Sequence, residues 1–168
     1  PNPFKEFHVG HLMPNVIGSA IARIFEWNGA EVKQANYQGD VGLHVAKAVW
    51  GMLKEEKNPY VSGTKAYEGD DGAKKEIQEI NKRIYEKSDA EIIKLYKAGR
   101  KASLDDFEKI YKRLDSKFDY YFFESETSEV GKKIVLENVG KVFEKGDNGA
   151  IVFKGEKFDP SLHTRVFI

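Results

Sequence analysis

Apolar residues return along the first part of this chain at the spacing of a helix. Ile17, Ile21, Ile24 and Phe25 predict an amphipathic helix over residues 11–28, with Asn28-Gly29 as its stop and Pro14 in its first turn, where a missing N–H costs little. Val32, Ala35 and Tyr37 then predict a short strand over residues 31–37, and a glycine-containing turn leads to a helix over about 43–55. Helix, strand and helix in that order match the front half of a doubly wound α/β domain.

The texture changes at Lys57-Asn58-Pro59, which breaks the pattern, and residues 60–72 are rich in glycine and polar side chains. Residues 73–121 are dense in charge. Ser88-Asp89-Ala90-Glu91 and Ser103-Leu104-Asp105-Asp106 read as two capping boxes. Leu104, Phe107, Tyr111, Leu114 and Phe118 follow the second at alternating intervals of three and four, so that helix carries one apolar stripe. A further helix is predicted over residues 129–143, with Val130, Ile134, Val139 and Val142 near one face. Strands are predicted over 150–153, behind the turn Asp147-Asn148-Gly149, and over 164–168. The organisation is an α/β domain carrying a mainly helical insertion.

Composition narrows the function classes. The 168 residues hold 27 basic and 27 acidic side chains, so any RNA contact has to come from a local patch. Lys94, Lys97, Arg100 and Lys101 are one such group, but acidic residues interleave around them and a solvated helix surface is the simpler reading. Without cysteine there are no disulfides and no thiolate zinc sites, which fits a reducing cytosol. No apolar run approaches the roughly 20 residues needed to cross a bilayer. The aromatic cluster Phe118, Tyr120, Tyr121, Phe122 and Phe123 continues the apolar stripe and reads as core packing between insertion and α/β domain.

The chemistry is concentrated at the start. Pro1-Asn2-Pro3-Phe4-Lys5-Glu6-Phe7-His8-Val9-Gly10-His11 places two imidazoles, a lysine and a bare glycine at the mouth of the first helix. Unpaired N–H groups and the helix dipole make such a mouth a site for phosphate, and Gly10 lets a base or phosphate approach the main chain. His8 and His11 can donate hydrogen bonds to a phosphoryl oxygen, and Lys5 can neutralise it as a point charge. A closed zinc site is poorly supplied, since only His44 and His163 are added to the pair; catalytic zinc completed by a carboxylate remains an alternative.

The opening stretch closely resembles the His-x-Gly-His signature of class I aminoacyl-tRNA synthetases, specifically arginyl-tRNA synthetases. Asn36-Tyr37-Gln38-Gly39-Asp40-Val41-Gly42, Lys117-Phe118-Asp119-Tyr120-Tyr121-Phe122-Phe123-Glu124-Ser125-Glu126 and Asp147-Asn148-Gly149-Ala150-Ile151-Val152-Phe153 are similar to further segments of that family, in the same order. The resemblance implies a Rossmann-type nucleotide-binding fold, with residues 1–56 its first half, 57–146 a mainly helical insertion and 147–168 return strands, in a chain truncated at both ends.

It also implies that a parent ligase activates arginine with ATP to arginyl-adenylate and passes it to tRNA(Arg). Lys5, His8, Gly10 and His11 would bind ATP, with Lys5, His8 and His11 acting in catalysis and Asn2 and His11 meeting arginine. Mg2+ would accompany the ATP phosphates, with no dedicated metal site in this chain. The partners would be arginine, ATP, tRNA and the rest of the synthetase, with its second fold half and anticodon-binding domain, in the cytoplasm. The isolated segment is expected to be inactive. This chain departs from the family pattern at Met13, often arginine, and Val41, commonly tryptophan. Two other readings stay open: another His-x-Gly-His adenylyl- or nucleotidyltransferase, and a non-catalytic RNA-binding helical module.

Overall fold

The computed structural model describes residues 1–167. The chain forms two compact units, Pro1–Ser125 and Glu126–Ile168. In the first, α1 (Val9–Trp27) is followed by β1 (Ala35–Gln38), α2 (Leu43–Leu53), α3 (Pro59–Gly69), α4 (Asp71–Glu86), α5 (Ala90–Leu114) and β2 (Tyr120–Phe123). Strand β2 pairs with β1 in parallel, Ala35 opposite Tyr120 and Gln38 opposite Phe123, and the regular elements in the long connection between them are helices α2 to α5. This is the α/β arrangement that the sequence predicts.

The core lies among α2, α4 and α5. Val41, Val45, Ala46 and Val49 meet Ile77, Ile80 and Ile84 of α4 and Ile92 of α5, with Leu95 and Tyr96 packed against them. The steps of three and four in α4 put its isoleucines on one face, and each contributes about 1.5–3 kcal/mol by leaving water. Helices α2 and α3 approach closely through two glycines. A Cβ on Gly63 would collide with the carbonyl of Lys47, and one on Gly51 with the carbonyl of Pro59.

Several elements differ from the sequence reading, each for a local reason. Helix α1 starts at Val9 because His8 caps it, so Pro14 sits in the second turn. Asn58-Pro59 opens α3, with proline at the position where a helix needs no N–H, and the glycine-rich stretch is helical because its Gly63 is a contact point. The cap of α5 is Asp89, whose carboxylate accepts from the Glu91 and Ile92 amides. The second capping box does not form: α5 runs unbroken through Ser103, whose hydroxyl donates back to the Gly99 carbonyl (2.9 Å). The aromatic run 120–123 is a strand, because Asp115 ends α5 in a left-handed conformation and the chain turns to join β1.

The predicted apolar stripe of α1 faces outward. Ile17, Ile21, Ile24 and Phe25 are exposed, while Ser19 and Ala22 are buried. The buried side is tied to the end of α5 by polar groups: Ser19 donates to Ser116, Ser116 to Asn15, and Arg23 pairs with Asp115.

Helix α6 (Glu124–Glu137) leads into the second unit. It starts earlier and ends earlier than predicted, giving way after Glu137 to a turn in which the Val142 and Phe143 amides bond the Asn138 carbonyl. There β3 (Glu144–Lys145), β4 (Ile151–Lys154) and β5 (Thr164–Val166) form an antiparallel sheet in that order. Asp147–Gly149 is a single 3-10 turn between β3 and β4. Phe143 packs on Phe167 (5.0 Å between ring centres) and Phe153 on Phe158 (5.2 Å). Residue 168, the last of the strand predicted over 164–168, lies outside the described residues.

Candidate functional site

The two histidines of the opening motif build the start of α1 between them. His8 is its N-cap: its Nδ1 accepts from the Gly10 amide (3.1 Å), while its own N–H donates to Nδ1 of His11 (3.3 Å). The rings stack at 3.9 Å between centres. This is a capping box made of imidazoles in place of a hydroxyl and a carboxylate. The backbone N–H of Gly10, which the sequence reading leaves open for phosphate, is taken by His8. Gly10 also has a steric reason to lack a side chain, since a Cβ there would stand 2.9 Å from His8 Cε1.

The cap fixes the tautomers. A nitrogen that accepts carries no proton, so each neutral ring holds its hydrogen on Nε2. Two Nε2–H donors are thereby presented at the positive end of a helix of 19 residues. The pKa of His11 is lowered, first by burial and then by His8, the amino terminus and Lys5, which keeps the ring in the neutral form that the cap requires.

Lys5 and His8 line one cavity of about 590 Å³, together with Phe4, Tyr60, Gly99 and Ser103. The Lys5 ammonium stands 5.7 Å from the centre of the Tyr60 ring, at cation–π distance. Asn2 is held elsewhere on the same unit: its Oδ1 accepts from the Gly39 amide (3.2 Å), just beyond the end of β1. A Cβ on Gly39 would stand 3.0 Å from a Glu124 carboxylate oxygen and 3.2 Å from Asn2 Oδ1, so a glycine there leaves the amide and the carboxylate facing one another. Burial, followed by the neighbouring Asp40, raises the pKa of Glu124.

Sequence reasoning missed the groups that hold this corner. Asp40, in a segment readable as ordinary turn chemistry, is fully buried and accepts from Arg100 Nε (2.7 Å), the Tyr96 hydroxyl (3.1 Å), and both the amide and hydroxyl of Ser125 (2.9 and 2.7 Å). Arg100 also lies over the Phe123 ring at 3.9 Å. The basic group on α5 is thus partly spent inside the fold, which weakens its reading as a phosphate-binding face. His44 Nε2–H donates to the Gly39 carbonyl (3.0 Å) from the first turn of α2. Only the partners' sequence separation, 56 to 85 residues for Asp40, kept this network out of sight. Among the described residues no group of three or more His, Asp or Glu stands together as a metal site, and no helix is long and apolar enough to cross a membrane.

A helix that carries two imidazoles at its mouth, followed in the chain by two strands that pair in parallel, is the arrangement of an α/β protein of Rossmann type. The comparisons narrow the class. The family model described as tRNA synthetases class I (R), catalytic domain, matches residues 1–167, and the chain belongs to that family. It is similar to the arginine–tRNA ligase of Borreliella afzelii, at 32% identity over all of this chain and 32% of that protein. The arginine–tRNA ligases of Fusobacterium nucleatum (32% identity, 94% of this chain, 30% of that one) and Encephalitozoon cuniculi (31% identity, 90% and 31%) are also similar. A solved arginyl-tRNA synthetase from Thermus thermophilus aligns with 99% of this chain and 31% of its own, at 22% identity and a TM-score of 0.48. The chain spans about a third of the length of the curated relatives it matches.

Proposed function

We propose that this chain is part of the catalytic domain of an arginine–tRNA ligase, and that its opening loop handles ATP and the amino acid. The interlocked His8–His11 cap is the observation that carries this reading, because it uses both Nδ1 atoms and leaves the Nε2–H donors of both rings outside its own hydrogen bonds at the positive end of α1. In the first step the carboxylate of arginine attacks the α-phosphorus of ATP, the bond to the β-phosphate oxygen breaks, and pyrophosphate leaves. In the second a ribose hydroxyl of the tRNA end attacks the adenylate carbonyl and AMP leaves. Both steps depend on placing reactants and meeting developing charge, which fixed donors supply.

His8 and His11 steady the phosphates through their Nε2–H groups, and Lys5 neutralises them across the cavity it shares with His8. Gly10 serves by letting the cap form. Asn2 turns its amide toward the amino acid, which His11 meets from the first turn of α1. Glu124, facing Asn2 across Gly39, supplies a negative group for a cationic substrate. Mg2+ arrives with ATP; among the described residues no three or more His, Asp or Glu side chains stand together to hold it as a resident ion. Residues 1–56 act as the first half of the nucleotide fold, 57–146 as its helical insertion and 147–168 as return strands. The remaining fold half and the anticodon-binding domain of a cytoplasmic ligase complete the machine. The exposed apolar stripe of α1 supports such a packing partner.

The test is pyrophosphate exchange by the whole ligase that contains this chain, in the presence of tRNA, with different carboxylic acids offered one at a time. Exchange driven by arginine and lost on His11→Ala supports the reading. Exchange driven by a carboxylic acid that is not an amino acid replaces it with another adenylating enzyme.

A further inference from the structure

One face of α5 is built to receive the two loops that carry the candidate site. Tyr96, Gly99, Arg100 and Ser103 fall at the helical steps of three and four that share a face. Each touches a loop. The Phe4 amide donates to Ser103 Oγ (2.9 Å), and Ser103 in turn donates to the Gly99 carbonyl, so its hydroxyl is fixed from both sides. The Phe4 ring occupies the space a Cβ on Gly99 would need and stacks on Tyr96 (6.1 Å). Tyr96 and Arg100 both bond Asp40, and Asp40 is next to Gly39, which holds Asn2.

The seat is made to measure for Phe4. Its φ is +68°, a left-handed conformation that an aromatic residue adopts only when its surroundings impose it. A Cβ on Gly99 would overlap Cε1 of the ring and stand 3.1 Å from Cδ1. Lys5 follows Phe4 directly, and His8 comes three residues later, so the conformation imposed at Phe4 decides where both enter their common cavity. The face cannot drift, because Ile92 and Leu95 of the same helix are packed into the core.

We propose that Gly99 and Ser103 are positioning residues for the candidate phosphate groups, acting through Phe4, and that this face of α5 sets the placement of Lys5, His8 and, by way of Asp40, Asn2. This rests on the ligase reading above for its kinetic consequence but not for its geometry. It gives the helical insertion a role inside the active site, distinct from any contact with RNA.

The experiment uses the whole ligase and the variants Ser103→Ala, Gly99→Ala, and Gly99→Ala combined with Phe4→Leu, which shortens the side chain that the new methyl meets. Arginine-dependent pyrophosphate exchange is measured with kcat and both KM values. In the same proteins the imidazole proton signals of His8 and His11 are followed, assigned with His8→Gln. The expected result is a fall of roughly tenfold to a hundredfold in kcat for Ser103→Ala and Gly99→Ala, with the KM for arginine changed less than threefold, as misplaced reactants produce. The histidine signals shift in both variants, and Phe4→Leu recovers most of the loss in Gly99→Ala. Unchanged kinetics and unchanged histidine signals in folded Ser103→Ala overturn the proposal, as does a Gly99→Ala loss that Phe4→Leu leaves intact. If Gly99→Ala does not fold, Ser103→Ala decides. If the unaltered protein shows no arginine-dependent exchange, the ligase reading falls, and the histidine signals alone decide the positioning claim.

Discussion

Replacing Asp40 by asparagine keeps its shape and removes its charge. Oδ2 accepts from Tyr96, Arg100 and the Ser125 hydroxyl, and Oδ1 from the Ser125 amide. An asparagine has one acceptor. Turned to face the three donors on one side, it sets its NH2 against the Ser125 amide on the other, so one hydrogen bond becomes a donor–donor contact. The Arg100 guanidinium also loses the charge of the buried carboxylate to which its Nε donates. Breaking a buried pair costs about 3–5 kcal/mol, and because Arg100 retains a quarter of its side-chain exposure (26%), the lower end of that range applies. For domains of ordinary stability, about 5–15 kcal/mol, that is a large fraction. With a urea slope of roughly 2 kcal/mol/M, the unfolding midpoint should fall by about 1.5 M. The assay is urea unfolding followed by circular dichroism, with Arg100→Met and the double variant completing a cycle. The slope should not change, and the double variant should recover part of the loss. A midpoint for Asp40→Asn within about 0.5 M of the unaltered protein refutes the claim that this carboxylate ties the loop to α5 and α6.

Gly63→Ala should lower the melting temperature sharply or prevent folding, because its methyl meets the Lys47 carbonyl with no flexible side chain to yield; calorimetry showing an unchanged midpoint would contradict the close approach of α2 and α3. The lowered pKa of His11 means that the unfolded chain takes up this proton first. Its contribution to stability is therefore present above the unfolded value near 6.5 and is lost as pH falls through the folded one. Thermal unfolding between pH 8 and 5 should accordingly show a steeper acid loss for the unaltered protein than for His11→Gln; parallel curves would dismiss the imidazole cap as a pH-sensitive element. Glu124→Gln should raise the KM for arginine several-fold in the whole ligase with little change in kcat, since it removes charge beside Asn2 and leaves the phosphate groups in place. A fall in kcat alone would assign the carboxylate a different part.

What could be read from the sequence was local. The helix of α1, its stop at Asn28, and the meeting of His8, Gly10 and His11 all follow from residues within a few positions of one another. The parallel α/β class was legible from the order of elements. The rest needed distant partners. Ser103 carries a convincing cap signal, yet the helix continues through it because its hydroxyl serves Gly99 and Phe4 instead. Residues 60–72 hide a helix because Gly63, a poor helix former, is there for contact with α2. The aromatic run 120–123 has no polar alternation to mark it as a strand, and only its pairing with β1 defines it. Asp40 sits in a glycine-flanked turn whose chemistry would satisfy any loop, until Tyr96 and Arg100 arrive from α5.

The central claim is that this chain belongs to a working arginine–tRNA ligase whose opening loop drives activation. Charging of bulk tRNA by the whole ligase, with each of the twenty amino acids offered separately, tests it most directly. Charging with arginine alone is expected, abolished by His11→Ala in a protein that remains folded. Charging with a different amino acid, or undiminished charging by the His11→Ala protein, would contradict it.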